Sequence, residues 1–363
     1  MRFTIILIMM TKVVIFASAQ SIGITNISEL QYSSTTKMKN LCNLLRSDIR
    51  LPIYRSGEIN FSSLHIYKLK SEGIINDLMT FSNIEEENSP FSLAILGYQQ
   101  QFGTSSFFIG VRNMNEDYFN TYLTSLFTNS SCGIYPTLST NYAVANYPLS
   151  SLCFHFYMQS DRFGVKSSIY NGRGYGVTDK SDNPFKFNYK KDGILGIIEL
   201  NYQKDDEKYF AGLSVHNNVY MHNQDNEWQK EIFAQEKKSK TSITWWLYTE
   251  QILLSKKKNE LNLLLQYSEN SAKTGFCKRY AGVGLINIYS GNKGLKHDLG
   301  IICTGAQFSG GYEIDTEVTV SYKINNIISL QPAAHIIKNN IGFHTAFLFR
   351  IISSIDCNLR KNN

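Results

Sequence analysis

The chain has 363 residues, of which 43% are apolar, 13% aromatic and only 18% charged. Lys and Arg outnumber Asp and Glu by 36 to 30, and the basic residues are scattered except for clusters at 237–240 and 256–258. A nucleic-acid-binding protein concentrates its basic residues on one face, so the composition argues against that class of partner. Twenty-two Tyr and 22 Phe against six Pro favour long strands with aromatic ends.

The first 19 residues have the features of an export signal. Arg2 supplies a positive start, residues 3–10 are mostly apolar, and Ala17-Ser18-Ala19 is a small-residue cleavage site. Lys12 interrupts the apolar stretch and argues against the alternative, an N-terminal membrane anchor. Beyond residue 19 no window reaches the ~18 continuous apolar residues that a spanning helix requires. Such an exported chain is either soluble outside the inner membrane or a β-barrel.

Residues 20–57 are predicted to form a short periplasmic or plug-like segment. Within it Met38, Leu41, Leu44 and Leu45 have the spacing of one helical face, which predicts a short N-terminal helix. The first strand is predicted within Glu58–Lys70.

From Phe91 onward the sequence alternates with a period of two residues. The clearest case is the hairpin from Ile194 to Val215, in which Ile198 and Leu200 alternate with Ile197 and Glu199. Alternation places one set of side chains on each face of a strand. An apolar set opposite a mixed set is typical of strands between lipid and a wet lumen.

The connections alternate in length. Short ones are predicted as periplasmic turns: Gln203–Lys208, Ser255–Glu260 and Asn325–Asn326. Longer polar ones are predicted as extracellular loops: Arg173–Gly193, Asn217–Lys240 and Ser268–Lys278. Every polar backbone group of a membrane strand must be paired, so residues 58–352 are predicted to form an all-β transmembrane antiparallel β-barrel, with residues 353–363 as a polar C-terminal tail. A soluble all-β repeat protein is the alternative.

Several runs in this region occur in a familiar order. They are Gly110-Val-Arg-Asn-Met-Asn-Glu-Asp-Tyr-Phe119, Ser125-Leu-Phe-Thr-Asn-Ser-Ser-Cys-Gly-Ile134, Tyr170-Asn-Gly172, Tyr280-Ala-Gly-Val-Gly-Leu285 and His297-Asp-Leu-Gly300. Glu313–Tyr322 with Ile327–Pro332 is similar to a closing hairpin. On these runs, residues 91–350 resemble the carbohydrate-selective outer-membrane porins, in particular those of Bacteroidetes-type bacteria.

The resemblance implies a barrel of about sixteen strands in the outer membrane of a Gram-negative bacterium. It implies passive, carbohydrate-selective diffusion of small saccharides through a water-filled pore, without enzymatic activity, cofactor or metal. The implied partners are small saccharides, outer-membrane lipid and the barrel assembly machinery, with no nucleic acid, and the barrel is expected as a monomer or a trimer. Two other functions stay open, an outer-membrane barrel enzyme of the lipase or protease type and a closed structural or adhesive barrel.

A sugar-selective constriction needs forked donors and carboxylate acceptors that can replace water on neighbouring hydroxyls. Arg112 ends a strand on its polar face, and the excursion from Asn113 to Pro148 lacks strand periodicity. We therefore predict that this excursion folds inward as a constriction loop, the alternative being an ordinary surface loop. The predicted pore-lining or sugar-binding residues are Arg112, Asn113, Asn115, Glu116, Asp117, Lys166, Tyr170, Arg173, Glu199, Trp246 and Glu250.

The six cysteines lie far apart without a C-x-x-C pair, which argues against metal ligation. Export permits a disulfide, and Cys132 with Cys153 is the candidate pair because both flank the same loop. Unpaired thiols are the equally open alternative. The sequence has no G-x-S-x-G, H-E-x-x-H or G-x-G-x-x-G motif, so catalysis finds no support in it.

Overall fold

The structure is a computed structural model that describes residues 21–53, 56–70, 73–84, 88–145, 148–176, 183–217, 241–272, 275–291 and 296–358. The predicted export signal lies outside these residues and stays a prediction. No helix in the described ranges is long and apolar enough to cross a membrane.

The described residues form sixteen strands that close into one antiparallel barrel. In chain order, β1 to β16, they are Ser21–Ser33, Lys39–Pro52, Gly57–Lys68, Ser89–Phe102, Ser105–Arg112, Ser151–Gln159, Phe163–Asn171, Ile194–Lys204, Glu207–His216, Ser242–Lys256, Asn259–Asn270, Cys277–Ser290, Lys296–Phe308, Gly311–Lys323, Ile328–Asn339 and Phe343–Asn358. Each strand pairs with its neighbours in sequence, and β1 pairs with β16 to close the barrel. The predicted transmembrane β-barrel of about sixteen strands is confirmed.

Side-chain alternation explains which surface each strand presents to the bilayer. In the β8–β9 hairpin Ile198, Leu200 and Leu213 are exposed on the outside, whereas Ile197 and Glu199 are buried inside the barrel. The two strands pair in the register Ile198 with Leu213 and Leu200 with Ala211. One apolar face towards lipid and one mixed face towards the lumen is the arrangement predicted from the two-residue period.

Short and long connections lie at opposite ends of the barrel. At one end, the connections β2–β3, β4–β5, β6–β7, β8–β9 and β10–β11 have only two to four residues, at 53–56, 103–104, 160–162, 205–206 and 257–258. The same end holds Ser21 and Asn358, which pair with each other. The strand ends that bound the longest connections, at 113–150, 172–193 and 217–241, lie at the other end. This asymmetry is that of outer-membrane barrels, whose short turns are periplasmic.

Aromatic rings surround the short-turn end of the outer wall. Phe163 lies 4.8 Å from Tyr202, and Tyr202 lies 6.4 Å from Tyr209, between ring centroids. Amphipathic rings at this level lie where a bilayer changes from hydrocarbon to headgroups. The rings therefore mark the edge of the membrane-spanning band at the short-turn end.

Two predicted boundaries are wrong. Residues 20–57 were expected as a plug-like segment with a helix, but Ser21–Ser33 and Lys39–Pro52 are the barrel strands β1 and β2. Likewise, the expected polar tail begins inside β16, because Ser353 to Asn358 pair with Asn26 to Ser21. The hairpin expected to close the barrel, Glu313–Tyr322 with Ile327–Pro332, belongs to β14 and β15, and β16 follows it.

Candidate functional site: the lumen and its inward loops

The predicted constriction loop crosses the lumen. Its described part, residues 113–145 (the long inward loop), leaves β5 and reaches the opposite wall. The Thr128 and Asn129 backbone N–H groups donate to the carboxylate of Glu317 on β14 at 2.8 and 3.0 Å. Further along, Asn141 Nδ2 donates to the Cys277 carbonyl at 2.8 Å. The loop therefore folds inward, as predicted from its lack of strand periodicity.

A second segment, residues 73–84 (the short inward loop), also enters the barrel. The backbone N–H groups of Leu78 and Met79 donate to Glu313 on β14 at 2.9 and 2.7 Å. Ser82 Oγ donates to Glu29 on β1 at 2.7 Å. The segment lies between the first predicted strand and Phe91, and nothing in its sequence indicated that it would enter the lumen.

The two inward loops bind each other inside the barrel. Asn83 N donates to the Thr128 carbonyl at 2.7 Å, and Ser130 N donates to the Thr80 carbonyl at 2.9 Å. Ser131 Oγ donates to the Met79 carbonyl at 3.1 Å. Buried backbone groups need such partners, so the loops form one hydrogen-bonded partition across the lumen.

Aromatic side chains of the long inward loop and of the barrel wall pack against one another inside the lumen. Phe119 and Tyr135 of the long inward loop have ring centroids 4.6 Å apart, and Tyr135 stacks on Tyr280 at 4.9 Å. The Phe119 ring also lies 5.1 Å from that of Trp246 on β10, which is fully buried. A Cβ at Gly212 would lie 2.0 Å from Trp246 Cζ2, so only glycine leaves room for this ring. Trp246 was predicted to face the lumen and does so, but as part of this packing.

Beside this aromatic packing, along β2, β5, β7 and β8, lies a chain of charged residues that solvent reaches in part. We call it the charged strip, and its members are Arg46, Asp48, Arg112, Glu116, Asp117, Lys166 and Glu199. Arg46 on β2 donates Nη1 and Nη2 to the two Glu116 oxygens at 2.7 and 3.0 Å, and its Nε donates to Asp48 at 2.9 Å. The side chains of Arg46 and Asp48 are 26% and 32% exposed, which is unusual inside this packed lumen.

The strip continues from the long inward loop onto β7 and β8. Arg112 Nη2 lies 2.6 Å from Asp117 Oδ1. Lys166 Nζ donates to the Asp117 carbonyl at 2.7 Å and lies 3.4 Å from Glu199 Oε1. Trp246 Nε1 donates to the other Glu199 oxygen at 2.9 Å. Alternating signs along the strip compensate each charge locally, as buried or half-buried ions require.

Local sequence explains how Glu116 and Asp117 are presented. Asn113 precedes a short 3₁₀ turn, Met114–Glu116, and its side chain accepts from Asn115 N at 2.8 Å. Its Nδ2 donates to the Leu149 carbonyl at the far end of the connection. An Asn at this position stabilises the start of such a turn. Asn113 therefore has a structural role that aims the two acidic residues after it at Arg46 and Arg112.

The remaining four predicted residues lie in different places. Tyr170 is fully buried on β7, next to the Arg112 end of the strip. Arg173 lies outside the strip and stacks on Tyr175, with its guanidinium carbon 4.8 Å from the ring centroid. Glu250 accepts from Thr121 of the long inward loop and lies 3.7 Å from Lys208 Nζ. Asn115 is only partly exposed, within the turn beside Glu116.

Sequence reasoning missed Arg46 and Asp48, which are the most exposed members of the strip. The available signal was the alternation Leu44, Arg46, Asp48, Arg50 on one face of a strand. The spacing of Leu41, Leu44 and Leu45 in the same region, which favours a helix, obscures this alternation.

Another missed residue is Tyr122, at the short-turn side of the long inward loop. It is 63% exposed, while other large rings of this loop are buried. Its hydroxyl donates to Asp298 Oδ2 on β13 at 2.5 Å. Burial, together with that hydrogen bond and the charge of Asp298, raises the pKa of Tyr122 above its ordinary value, so the phenol stays neutral. Tyr122 therefore offers an open ring face beside a carboxylate.

The candidate disulfide does not form, since Cys132 and Cys153 are both free and buried. The thiol of Cys132 packs with Leu264, Ile286 and Ile302, whereas Cys153 belongs to a separate buried cluster. Burial raises the pKa of the Cys132 thiol well above its ordinary value, which makes it a poor nucleophile.

No protein-family model matches the chain, and no curated protein matches it. Solved structures do match. The high-pH structure of OprB from Pseudomonas putida gives a TM-score of 0.76 at 14% sequence identity, covering 95% of this chain and 96% of that chain. The low-pH structure of the same protein gives 0.58 at 12% identity, covering 95% of each chain. An anion-selective porin from Comamonas acidovorans gives 0.57 at 10% identity, covering 93% of this chain and 99% of that chain. In fold, this chain is therefore similar to outer-membrane porins over nearly its whole length.

Proposed function

We propose that this chain is a porin of the outer membrane of a Gram-negative bacterium, and that it passes small saccharides by passive diffusion along the charged strip. The carrying observation is the partial exposure of Arg46, Asp48, Glu116 and Lys166 inside a lumen that is otherwise packed. The porin fold shared with OprB supports the same assignment. The relationship to Bacteroidetes-type members stays a prediction.

The chemistry of the strip suits neutral, hydroxyl-rich solutes. Its three cations, Arg46, Arg112 and Lys166, lie against four carboxylates, so the local charge is nearly balanced. A balanced row of fixed donors and acceptors gives a neutral polyol many hydrogen bonds while attracting neither anions nor cations strongly. Saccharides are the solutes whose neighbouring hydroxyls match such a row.

The open ring of Tyr122 supplies a second contact of the kind that sugars use. Its exposed face can cover the apolar face of a pyranose, and Asp298 beside it can accept from hydroxyls. Tyr122 faces the short-turn side of the partition. We assign it to the periplasmic vestibule, where a solute leaves the strip.

One competing function has structural support of its own. In the part of the chain that the structure describes, much of the lumen is filled by the two inward loops and by the buried rings of Phe119, Tyr135 and Trp246. A closed structural or adhesive barrel requires a lumen filled in this way. The alternative of a barrel enzyme has no such observation behind it.

Liposome swelling separates the pore from the closed barrel. Purified protein is reconstituted into liposomes, and swelling rates are measured in isotonic solutions of a pentose, glucose, a disaccharide and a trisaccharide. For a porin whose lumen is packed by inward loops, we expect rates above those of protein-free liposomes that fall steeply with solute size. Rates equal to those of protein-free liposomes for every solute would overturn the proposal in favour of the closed barrel.

A variant pair locates the passage. Arg46→Trp places a bulky ring in the strip and is expected to reduce glucose swelling at least several-fold. Arg50→Trp, on the same strand and face but at its open periplasmic end, is the matched control and is expected to leave the rate near that of the wild type. Equal rates for both variants would place the passage elsewhere in the lumen.

A further inference from the structure

The connection between β7 and β8 packs against the outer side of the barrel rim. By alternation Asn171 points outward, on the same face as Ile169, which is 56% exposed. Asn171 is nevertheless buried, because its Oδ1 accepts from Asn188 N at 3.0 Å and its Nδ2 donates to Asp192 Oδ2 at 3.1 Å. Residues 183–192 (the rim segment) therefore cover the outward side chain at the end of β7.

The rim segment lies at the height where the apolar band of the bilayer ends. Tyr202 belongs to the aromatic rings at the short-turn end, and Ile194, which comes just after the segment, lies eight residues from Tyr202 along β8. Eight residues of a strand tilted by about 40° rise roughly 20 Å along the barrel axis, close to the ~25 Å of the apolar band. The segment therefore lies on the long-loop side, where the outer leaflet has its headgroups.

Aromatic rings of the rim segment are exposed at this level. Three of them have between 49% and 56% of their surface exposed: Phe185, Phe187 and Tyr189. The Phe187 and Tyr189 ring centroids are 6.3 Å apart, and Lys190 Nζ lies 6.0 Å from the centroid of Tyr189. Rings at the edge of the apolar band contact acyl chains with one part and headgroups with the other.

Cations accompany these rings. Residues 183–191 contain three Lys and no Asp or Glu. Lys186 Nζ lies 5.4 Å from the centroid of the Tyr175 ring, and the guanidinium carbon of Arg173 lies 4.8 Å from the same centroid. Two cations are therefore held against one ring. Bringing like charges together costs free energy, and an anion bound beside both of them offsets that cost.

The acidic residue of the rim segment does not neutralise its outer surface. Asp192 is buried, and it accepts from the Tyr175 hydroxyl at 2.6 Å and from Asn171. These bonds fix the ring that Arg173 and Lys186 contact. What the described part of the segment presents to the leaflet is therefore aromatic and positively charged.

We propose that the rim segment is a binding surface for the phosphorylated glycolipid of the outer leaflet. Its phosphate groups match Arg173, Lys186 and Lys190, because guanidinium and ammonium groups bind phosphate oxygens through charge-assisted hydrogen bonds. The sugar rings of its headgroup offer apolar faces to Phe187 and Tyr189, and its acyl chains continue along the apolar outer wall.

Charge and shape favour this occupant over two others. A phospholipid supplies a phosphate but no sugar ring for the exposed aromatic faces. A second copy of this chain would present the same positive surface, and like charges repel. The inference rests on the proposed outer-membrane location, but it is independent of what passes through the lumen.

The test measures binding of lipid A, the phosphorylated glycolipid anchor, to the full-length protein in detergent by native mass spectrometry. Lys186→Gln/Lys190→Gln is expected to raise the dissociation constant at least tenfold, since each Lys near a membrane surface contributes about 1 kcal/mol. Lys257→Gln/Lys258→Gln removes the same charge from an exposed turn at the short-turn end. This control should match the wild type.

A third variant tests the aromatic contact. Tyr189→Ala keeps every charge of the rim segment and is expected to weaken lipid A binding several-fold while leaving the weaker binding of phosphatidylglycerol unchanged. Heat-modifiable electrophoretic mobility verifies that each variant is folded. Wild-type protein should also bind lipid A at least tenfold more tightly than lipid A stripped of its phosphates.

Four results would overturn the proposal. They are equal lipid A affinities for the two lysine pairs, equal affinities for lipid A with and without phosphates, phosphatidylglycerol bound as tightly as lipid A, and displacement of lipid A by millimolar inorganic phosphate. A dimer lost only in Lys186→Gln/Lys190→Gln would assign the surface to a second copy instead. Because liposome swelling measures transport separately, failure here would leave the porin assignment standing.

Discussion

At the residue scale, Arg46 compensates two carboxylates at once. It holds both oxygens of Glu116 and also Asp48, while about a quarter of its side chain remains exposed to the lumen. Arg46→Ala would leave two adjacent negative charges on the passage. In water, one such charge interacts with a monovalent ion 4 Å away by about 1 kcal/mol. This energy corresponds to a change of roughly fivefold in the relative access of cations and anions.

We therefore expect Arg46→Ala to shift permeation towards cations, as measured by the reversal potential of single channels in a KCl gradient. Arg50→Ala removes the same charge from the same strand and face at its exposed end, and should shift the potential much less. An unchanged reversal potential for Arg46→Ala would mean that ions do not pass the strip.

A different arginine closes the barrel seam from inside. Arg350 on β16 donates Nε to Glu29 on β1, and its Nη2 donates to Asn83 of the short inward loop at 2.9 Å. Both members of the pair are buried, and Glu29 also accepts from Ser82. Removing one partner of a buried ion pair leaves the other charge without compensation, which costs about 3–5 kcal/mol.

Arg350→Ala should therefore lower the free energy of unfolding by about that amount, measured by urea titration of tryptophan fluorescence in lipid vesicles. Lys256→Ala, at an exposed strand end, should change it by less than about 0.5 kcal/mol. The double variant Glu29→Gln/Arg350→Met should recover part of the loss, because no charge stays unpaired. A loss as large in the double variant as in Arg350→Ala would contradict this account.

At the element scale, the strands that sequence reasoning recovered are those with one face in lipid and the other in a wet or mixed lumen. β2 is different, because Leu41 and Leu45 face outward while Cys42 and Leu44 pack against the buried cluster inside. Apolar residues on both faces remove the two-residue alternation. The resulting spacing, Leu41 with Leu44 and Leu45, resembles that of a helix face, and local sequence alone could not distinguish the two.

β1 was missed for the opposite reason. Its inward face carries Glu29, whose partners Ser82 and Arg350 are distant in the chain, and Gln31, which donates to Glu29 at 2.7 Å. Its outward face carries Asn26 and Ser28. A strand with polar residues on both faces has no hydrophobic period to detect. Its identity depends on pairing with β16, more than 300 residues away in the chain.

The residues of the candidate site were predictable only where the strands that carry them were predictable. Arg112, Glu116, Asp117, Lys166 and Glu199 stand on or beside strands whose period was recognised, and the structure brings them together. Their partner Arg46 was not predicted. Its contact with Glu116 joins residues 70 positions apart, one on a strand expected to be helical and the other in an irregular loop.

The long inward loop is held across the lumen by one carboxylate above all. Glu317 accepts from Thr128 N, Thr128 Oγ1 and Asn129 N, at 2.8 to 3.0 Å. Glu317→Ala would leave two buried backbone donors without this partner, each worth about 1–3 kcal/mol, while Thr128 Oγ1 keeps its contact with His335 Nε2 at 2.9 Å. The loop should then leave this wall more often, so we expect larger mean conductance and more frequent current fluctuations in single-channel recordings.

Lys323→Ala is the control for that variant, because it lies on the inward face of the same strand at its exposed end. Its recordings should match those of the wild type. If Glu317→Ala gave the steady wild-type conductance, the loop would be held by its other contacts, among them Gln331 Nε2 to the Leu126 carbonyl at 2.6 Å.

At the scale of the whole molecule, the barrel exists only when its first and last strands meet. β1 pairs with β16 along its full length, from Ser21 with Asn358 to Ser33 with Ala346. An unpaired edge in lipid exposes backbone groups that have no alternative partner. Closure between the two ends of the chain is therefore a condition for stable insertion, and the chain must be nearly complete before it can occur.

This condition makes the C-terminal residues a test of the fold. Ending the chain after Ile352 removes Ser353 to Asn358, which pair with Asn26 to Ser21 on β1 and extend beyond the turn before β15. Several ladder hydrogen bonds at roughly 0.5–1.5 kcal/mol each would be lost, together with the continuity of the closed edge. We expect the folded fraction to fall at least tenfold, as measured by heat-modifiable electrophoretic mobility after refolding into vesicles.

Ending the chain after Asn358 keeps every one of these pairs and should leave the folded fraction near that of the full-length protein. If both truncations folded equally well, residues 353–358 would behave as the tail that their polar composition suggested, and closure would depend on the seven pairs from Ile27 with Ile352 to Ser33 with Ala346 alone.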